Sequence, residues 1–354
     1  MTKEDLGRKG QNLVFTDETV LRDSAEYWDR IAKPLCGLGL YEKTISRIAA
    51  IRGTLVPSLE KKTLVLFFSD NGIAEENVSQ STQDVTRKVA VSTAKGRSSA
   101  CLMARKANVD VVSVDVGMKG DTVPSFIDKR IREGSRNFLK EKAMTEEEMM
   151  KAIEAGFDVT QSLIQGGTDV ILLGEMGVAN TTTATAVSCA LLGLDPLSVT
   201  GRGSGLSDGL LDHKARVIRE ALKKYGFNSK SDAMDVLCAV GGYDIAAMVG
   251  SIICCACHHV PVVLDGLITL CAALVSQRLF PGIEACMIAS HRPREAAGKA
   301  VLENLGLEAP LDASLALGEG TGALLLMPQL DMALELYRSG ASFGDIGMPS
   351  YEKY

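Results

Sequence analysis

Six short runs of apolar, largely β-branched residues punctuate this chain: Thr63 to Phe68, Val109 to Val116, Asp169 to Leu173, Val236 to Val240, Val262 to Leu264 and Ala285 to Ala289. Runs this short and continuously apolar suit strands buried on both faces of a parallel sheet. Between them stand alanine-rich helical windows such as Asn180 to Leu192 and Tyr243 to Cys257. The alternation predicts an α/β fold, a mostly parallel sheet with helices on both faces. The chain ends read differently. Val20 to Ile31 carries apolar residues at helical spacing and is stopped by Pro34, Tyr41 to Leu55 repeats the pattern, and Leu330 to Leu336 is helical again. At 354 residues, two units are expected. One is a small helical domain of residues 1–60 together with 330–354, and the other a large α/β domain of residues 61–329. A further amphipathic helix is expected over Ala143 to Gly156, capped by Thr145 with Glu148 at the capping-box position.

Composition narrows the function. The net charge is -6, only 5% of residues are aromatic and there is one Trp. Neither a polyphosphate backbone nor a base-stacking surface is a fitting partner, so no nucleic acid is expected. The most apolar stretch, Val240 to Val275, is broken by Gly241, Gly242, Asp244, Pro261 and Asp265, so no membrane association is expected. The first five residues, Met1 to Asp5, hold no apolar signal core, and the nine cysteines are odd in number. A reducing cytoplasm is the expected location.

The glycines cluster. Gly174 and Gly177 flank Glu175 and Met176; Gly241 and Gly242 follow the run ending at Val240; Gly318, Gly320 and Gly322 surround Glu319 and Thr321; Gly201, Gly203 and Gly205 precede a helix beginning near Asp208. In an open parallel sheet ligands bind beyond the carboxyl ends of the strands. Glycines there let the backbone close on a ligand, and helix N-termini behind them receive anions. Several such turns on one edge point to a phosphate-bearing ligand. Carboxylates share the edge: Asp70, Asp115, Glu175, Asp265 and Glu319. For Asp70 and Asp265 a turn or helix-cap role stands beside a ligand role. Glu is a poor turn former, so Glu175 and Glu319 are the stronger chemical candidates. No P-loop, complete dinucleotide fingerprint or nucleophile-elbow spacing is present. With four His, two of them adjacent at 258 and 259, and Cys254 and Cys257 inside an apolar helix, no metal and no cofactor are expected.

The ordered set of motifs resembles one family, the nicotinate-nucleotide–dimethylbenzimidazole phosphoribosyltransferases, from about residue 15 to 348. The resemblance lies in Ser69-Asp70-Asn71-Gly72, Val78-Ser79, Gln83, Asp115-Val116-Gly117 and Gly134-Ser135-Arg136-Asn137-Phe138. It continues through Gly174 to Thr182, Gly201 to Leu206, Val240 to Met248, Pro261 to Gly266, Ser290-His291-Arg292 and Leu317 to Gly322. It implies a Rossmann-like sheet domain with a helical domain from both chain ends, usually as a homodimer. The implied partners are small molecules, nicotinate mononucleotide and a free aromatic base, joined as an α-ribotide with release of nicotinate. Glu319 is then the catalytic base and Glu175 a second acid near ribose or base. Ser79, Gln83, Met176 and Leu317 line the base pocket. Gly177, Asn180, Thr181, Arg202, Gly203, Lys214, Ser290 and Gly320 contact phosphate and ribose. Lys214 also fits a solvated helix position, and Arg202 a surface ion pair. Two departures stand out: Asn71 where many members carry His, and Ala179 where Gly is common. The alternatives are a transferase of the same family acting on a phenolic or purine base, a nicotinamide-dependent dehydrogenase, and a non-catalytic binding homologue.

Overall fold

A computed structural model describes residues 1–10 and 16–352; residues 11–15 and 353–354 of the expected terminal unit lie outside this description. Six parallel strands form one sheet: β1 Lys62–Ser69, β2 Asp110–Gly117, β3 Ile127–Asp128, β4 Val170–Met176, β5 Val262–Leu264 and β6 Met287–Ala289. Their spatial order is β3-β2-β1-β4-β5-β6. The winding reverses direction between β1 and β4, which pair from Lys62 with Val170 to Phe68 with Met176. A crevice opens at such a point, because the loops leaving the two strands turn to opposite faces.

Every residue of β1 is buried, as expected for a central strand covered on both sides. Its side chains alternate between two cores. Val65 and Phe67 join the helices of one face, whereas Leu64, Leu66 and Phe68 join Trp28, Leu324, Leu326 and Tyr337 on the other. On the first face, the helix Glu146–Gln165 packs against the helix Tyr243–Cys257. The contact is so close that a Cβ on Gly156 would stand 1.8 Å from the Ala247 carbonyl oxygen, and one on Gly250 1.9 Å from that of Ile153. Glu146–Gln165 begins with the expected capping box between Thr145 and Glu148. On the second face, the helix Glu18–Arg30 meets the last helix, Thr321–Ser339, through Trp28 and Tyr337, whose rings lie 4.9 Å apart. The Tyr337 hydroxyl donates to Ser24 Oγ at 3.0 Å.

One expected strand is a helix. Val236 to Val240 belongs to the helix Ala233–Val240, which Asp232 caps by accepting the N–H groups of Met234 and Asp235. Seven of its eight residues are buried, so no polar face breaks the apolar run and its period cannot be read. Gly241 and Gly242 consequently join two helices instead of ending a strand. The last run is shorter than expected: residues 283–286 form a 3-10 turn before β6. The helix expected over Leu330 to Leu336 starts at Thr321, inside the final glycine turn. β3, a two-residue edge strand, carries no apolar run.

No described helix is long and apolar enough to cross a membrane. All nine cysteines are unpaired, and Cys254, Cys255, Cys271 and Cys286 are fully buried among apolar side chains.

Candidate active site

Beyond the carboxyl ends of β1, β4, β5 and β6 lies a cavity of about 290 Å³. Three helix N-termini reach its wall, those of Asn180–Leu192, Leu267–Leu279 and Thr321–Ser339. Free N–H groups and aligned peptide dipoles make such an end electropositive and a receptor for an anion. The end of Thr321–Ser339 is already met by the Asp265 carboxylate, which leaves the other two for a ligand.

Glu319 enters this cavity on a turn in which Gly318, Glu319 and Gly320 all adopt positive φ, at 86°, 57° and 73°. A left-handed conformation costs a residue with a Cβ roughly 1–2 kcal/mol, so the turn must be held from outside. Two contacts hold it. Asp265, just past β5, accepts the N–H of Gly320 at 3.1 Å and of Gly322 at 2.7 Å. Gly320 also packs on β4: a Cβ on Gly174 would lie 2.8 Å from its nitrogen. The Glu319 carboxylate accepts the Ala100 N–H at 3.2 Å, in the first turn of the helix Ser99–Ala107. Burial nevertheless pushes the Glu319 carboxyl above its ordinary range, against the pull of that N–H.

Glu175, near the end of β4, faces the same cavity. Burial, then the neighbouring Asp244, raises its carboxyl to about 8. A carboxyl so raised favours its neutral form at neutral pH, and environments that push two carboxyls apart in this way suit them to different roles. Asp265 is likewise pushed up by burial, with His291 and the capped N–H groups opposing.

Of the residues expected from sequence, nine line this one cavity: Glu319, Glu175, Ser79, Met176, Leu317, Gly177, Asn180, Thr181 and Gly203. Gly177 admits no side chain, since a Cβ would meet the Ser69 carbonyl oxygen at 2.3 Å. The other five stand behind or beside the wall. Gly320 serves the turn just described. Gln83 bridges the Asn71 carbonyl, at 3.1 Å, and Lys119, at 2.7 Å. Ser290 is fully buried against His291 Nδ1 at 3.0 Å. Arg202 pairs on the surface with Asp208. Lys214 is not a solvated helix residue: it is 1% exposed, and its ammonium donates to Thr181 Oγ1 at 2.8 Å and the Gly201 carbonyl at 3.2 Å. Burial lowers it to about 8.

Three more residues contribute: Asp265, read from the sequence as either cap or ligand, and His291 and Asp244, which carried no role of their own there. Asp265 is both cavity wall and anchor of the Glu319 turn, and His291 lines the cavity beside it. Asp244 lies behind Glu175, linked to it through Asn180. Asn71, the departure from the common His, is fully buried and accepts from Thr183 Oγ1 at 2.9 Å. Ala179 takes φ of 69°, a conformation that glycine adopts without strain. Among the described residues no group of three His, Cys, Asp or Glu side chains is placed to hold a metal ion.

Comparison with known proteins accords with this geometry. A family model described as "Phosphoribosyltransferase" matches residues 14–348. The nicotinate-nucleotide–dimethylbenzimidazole phosphoribosyltransferase of Ruminiclostridium cellulolyticum is 37% identical over 325 residues, 92% of each chain. That of Acetivibrio thermocellus is 35% identical, again over 92% of each. The crystal structure of CobT from Thermus thermophilus superposes with a TM-score of 0.89 at 33% identity, covering 94% of this chain and all of that one. The match over nearly the whole chain sets aside the dehydrogenase alternative. The chain belongs to the nicotinate-nucleotide–dimethylbenzimidazole phosphoribosyltransferase family.

Proposed function

We propose that this chain transfers the phosphoribosyl group of nicotinate mononucleotide to 5,6-dimethylbenzimidazole or a related aromatic base. The products are an α-ribotide, used in the nucleotide loop of cobamides, and nicotinate. The observation that carries the proposal is Glu319 on its strained turn, facing a cavity ringed by helix N-termini.

The chemistry follows from the charges. The pyridinium of nicotinate mononucleotide leaves with the electrons of its glycosidic bond and departs with a neutral ring nitrogen, so it needs no proton. The incoming base bonds to the anomeric carbon through its unprotonated nitrogen and becomes cationic unless its N–H proton is removed. Glu319 accepts that proton, help typically worth ~10²–10⁴-fold. Holding both substrates in line adds an entropic advantage that can reach ~7 kcal/mol or more. The N-termini of Asn180–Leu192 and Leu267–Leu279 and Lys214, behind Thr181, suit the phosphate. Met176 and Leu317 offer apolar contact to the incoming ring, beside Ser79. Gln83, Arg202 and Ser290 support this site from the positions described above.

Residues 1–60 with 330–354 are taken as one helical unit on residues 61–329, with the terminal helix Thr321–Ser339 shared between them. The enzyme is further proposed to act in the cytoplasm as a homodimer. Leu102, Leu325 and Met332, exposed on two helices that pack together, offer apolar surface to a second copy. Sedimentation equilibrium tests the dimer. The activity is tested by incubating nicotinate mononucleotide with a panel of benzimidazoles, phenols and purines and identifying products by mass. A benzimidazole ribotide is expected; free nicotinate without any ribotide would overturn the assignment.

A further inference from the structure

Asp244 is a buried acid for which the transfer reaction supplies no direct task. It is fully buried at the start of the helix Tyr243–Cys257 and does not line the cavity. Its Oδ1 accepts the Ile245 N–H at 3.0 Å. Its Oδ2 accepts from Asn180 Nδ2 at 3.1 Å, and the same nitrogen donates to Glu175 Oε2. One amide group thus ties together two buried carboxyls, Asp244 behind the cavity wall and Glu175 in it. The oxygen of Glu175 left over, Oε1, is turned to the Glu319 turn: a Cβ on Gly318 would stand 3.1 Å from it.

The surrounding charges do not relieve this pair. Asp265 and Glu319 face Glu175, and Asp70 faces Asp244. His291 stands against Asp265, and Lys214 is spent on Thr181 and Gly201. Among the described residues neither carboxyl makes an ion pair. Two buried carboxyls sharing one amide donor resist ionising together, and one proton stays with the pair. It resides on Glu175, raised to about 8 by burial and then by Asp244. Asp244 itself is raised only to about 6, burial being opposed by the donors Asn180 and Ile245.

We propose that Asp244 is a positioning residue for the transfer: held against Glu175 by the Asn180 amide that both carboxyls share, its negative charge keeps Glu175 a neutral acid, so that the cavity presents one donor and one base to an anionic nucleotide. The inference rests on the reaction proposed above. Nicotinate mononucleotide brings a phosphate and a carboxylate. A second ionised glutamate beside Glu319 would repel both, whereas a neutral one donates a hydrogen bond.

The test is the pH dependence of kcat/KM for nicotinate mononucleotide in wild type, Asp244→Asn, Glu175→Gln and the double variant. In wild type a loss is expected above about pH 8, carried by KM. Removing the Asp244 charge lets Glu175 ionise sooner, so in Asp244→Asn this limb moves down by about one pH unit or more. Glu175→Gln keeps a donor that cannot ionise. It abolishes the limb, and Asp244→Asn added to it has no further effect on the profile. Mere structural damage would lower activity evenly across pH and would add to Glu175→Gln. Infrared spectroscopy of the ligand-free protein supplies a readout independent of turnover. The carbonyl band of a protonated carboxyl, absent from Glu175→Gln, should persist through neutral pH and titrate at lower pH in Asp244→Asn. That band can be present even if the base panel gives no ribotide, so the two failures are distinguishable. Absence of a Glu175 band at neutral pH, or an unmoved titration in folded Asp244→Asn, would overturn the proposal.

Discussion

The Asp265 carboxylate accepts the main-chain N–H of Gly320 at 3.1 Å, so a residue just after β5 holds the peptide unit that follows the candidate base. The same carboxylate accepts the Gly322 N–H at 2.7 Å, which makes it the cap of the helix Thr321–Ser339. The cap residue Gly320 has no side chain to do this itself. The carboxylate therefore links two demands, a satisfied helix end and a strained turn carrying Glu319. Asp265→Ala should leave two buried N–H groups unmatched, at about 1–3 kcal/mol each, and lower the melting temperature. It should also displace Glu319 and reduce kcat by as much as ~10²-fold, because small misplacements of a reacting group are costly. Thermal melts and steady-state kinetics on the folded variant check both. Lost stability with kcat intact would show that Asp265 serves the helix alone.

If Glu319 is the base proposed above, it sets the acid side of the pH profile. Burial raises its carboxyl above the usual glutamate range, and only the ionised form takes a proton. The rate should therefore fall as pH falls through that raised value, at a higher pH than an exposed glutamate would impose. Glu319→Gln should lower kcat by at least ~10²-fold and remove this limb while the nucleotide still binds. Binding is measured by calorimetry and turnover by nicotinate release. Activity within a few-fold of wild type would take Glu319 out of the mechanism.

Much of this site was legible because glutamate is out of place in a glycine turn. That anomaly singles out Glu175 and Glu319, and both face one cavity. The β1 run was legible for a different reason, being apolar at every position and buried at every position. The same logic misled at Val236 to Val240, where a helix buried on nearly all sides presents the same unbroken run. Asp232, whose side chain caps that helix, was the signal that could have corrected it. Asp244 was beyond reach in sequence: its meaning lies in an amide 64 residues away that it shares with Glu175. Asp265 was ambiguous between cap and ligand, and the fold uses it as a cap while also placing it in the cavity wall.

Among the described residues no carboxylate stands in ion-pair range of the buried Lys214, and burial lowers its ordinary value of 10.5 to about 8. The sign follows from the two states. Below about pH 8 the lysine is charged both folded and unfolded, and the folded chain carries the whole cost of burying the ammonium. As pH rises from about 8 to 10.5 the folded form sheds its proton first and the cost disappears. At roughly 1.4 kcal/mol per pH unit, that cost is on the order of 3 kcal/mol at neutral pH. Lys214→Met should therefore raise the melting temperature of the ligand-free protein. If this ammonium serves the phosphate, the same change should raise KM for the nucleotide by about tenfold or more. Inorganic phosphate should then stabilise wild type and not the variant. An unchanged KM would confine Lys214 to bracing Thr181 and the Gly201 loop.

Stereochemistry separates a single displacement from a double one. Nicotinate leaves from the β face of the ribose, so direct attack by the incoming base places it on the α face. A double displacement would need an enzyme nucleophile, and Glu175 is the other glycine-turn carboxylate in the cavity. It is poorly suited: Asn180 engages its Oε2, and a carboxyl raised to about 8 is protonated at neutral pH, with no free charge to attack the anomeric carbon. The expected product is the α-ribotide, with no ribosyl-enzyme detected by mass spectrometry of the quenched reaction. NMR of the anomeric proton and its cross-relaxation to the base decides the configuration. A β-ribotide would mean two inversions, put Glu175 in covalent contact with the ribose, and require Asp244 to raise its basicity for attack instead of holding its proton.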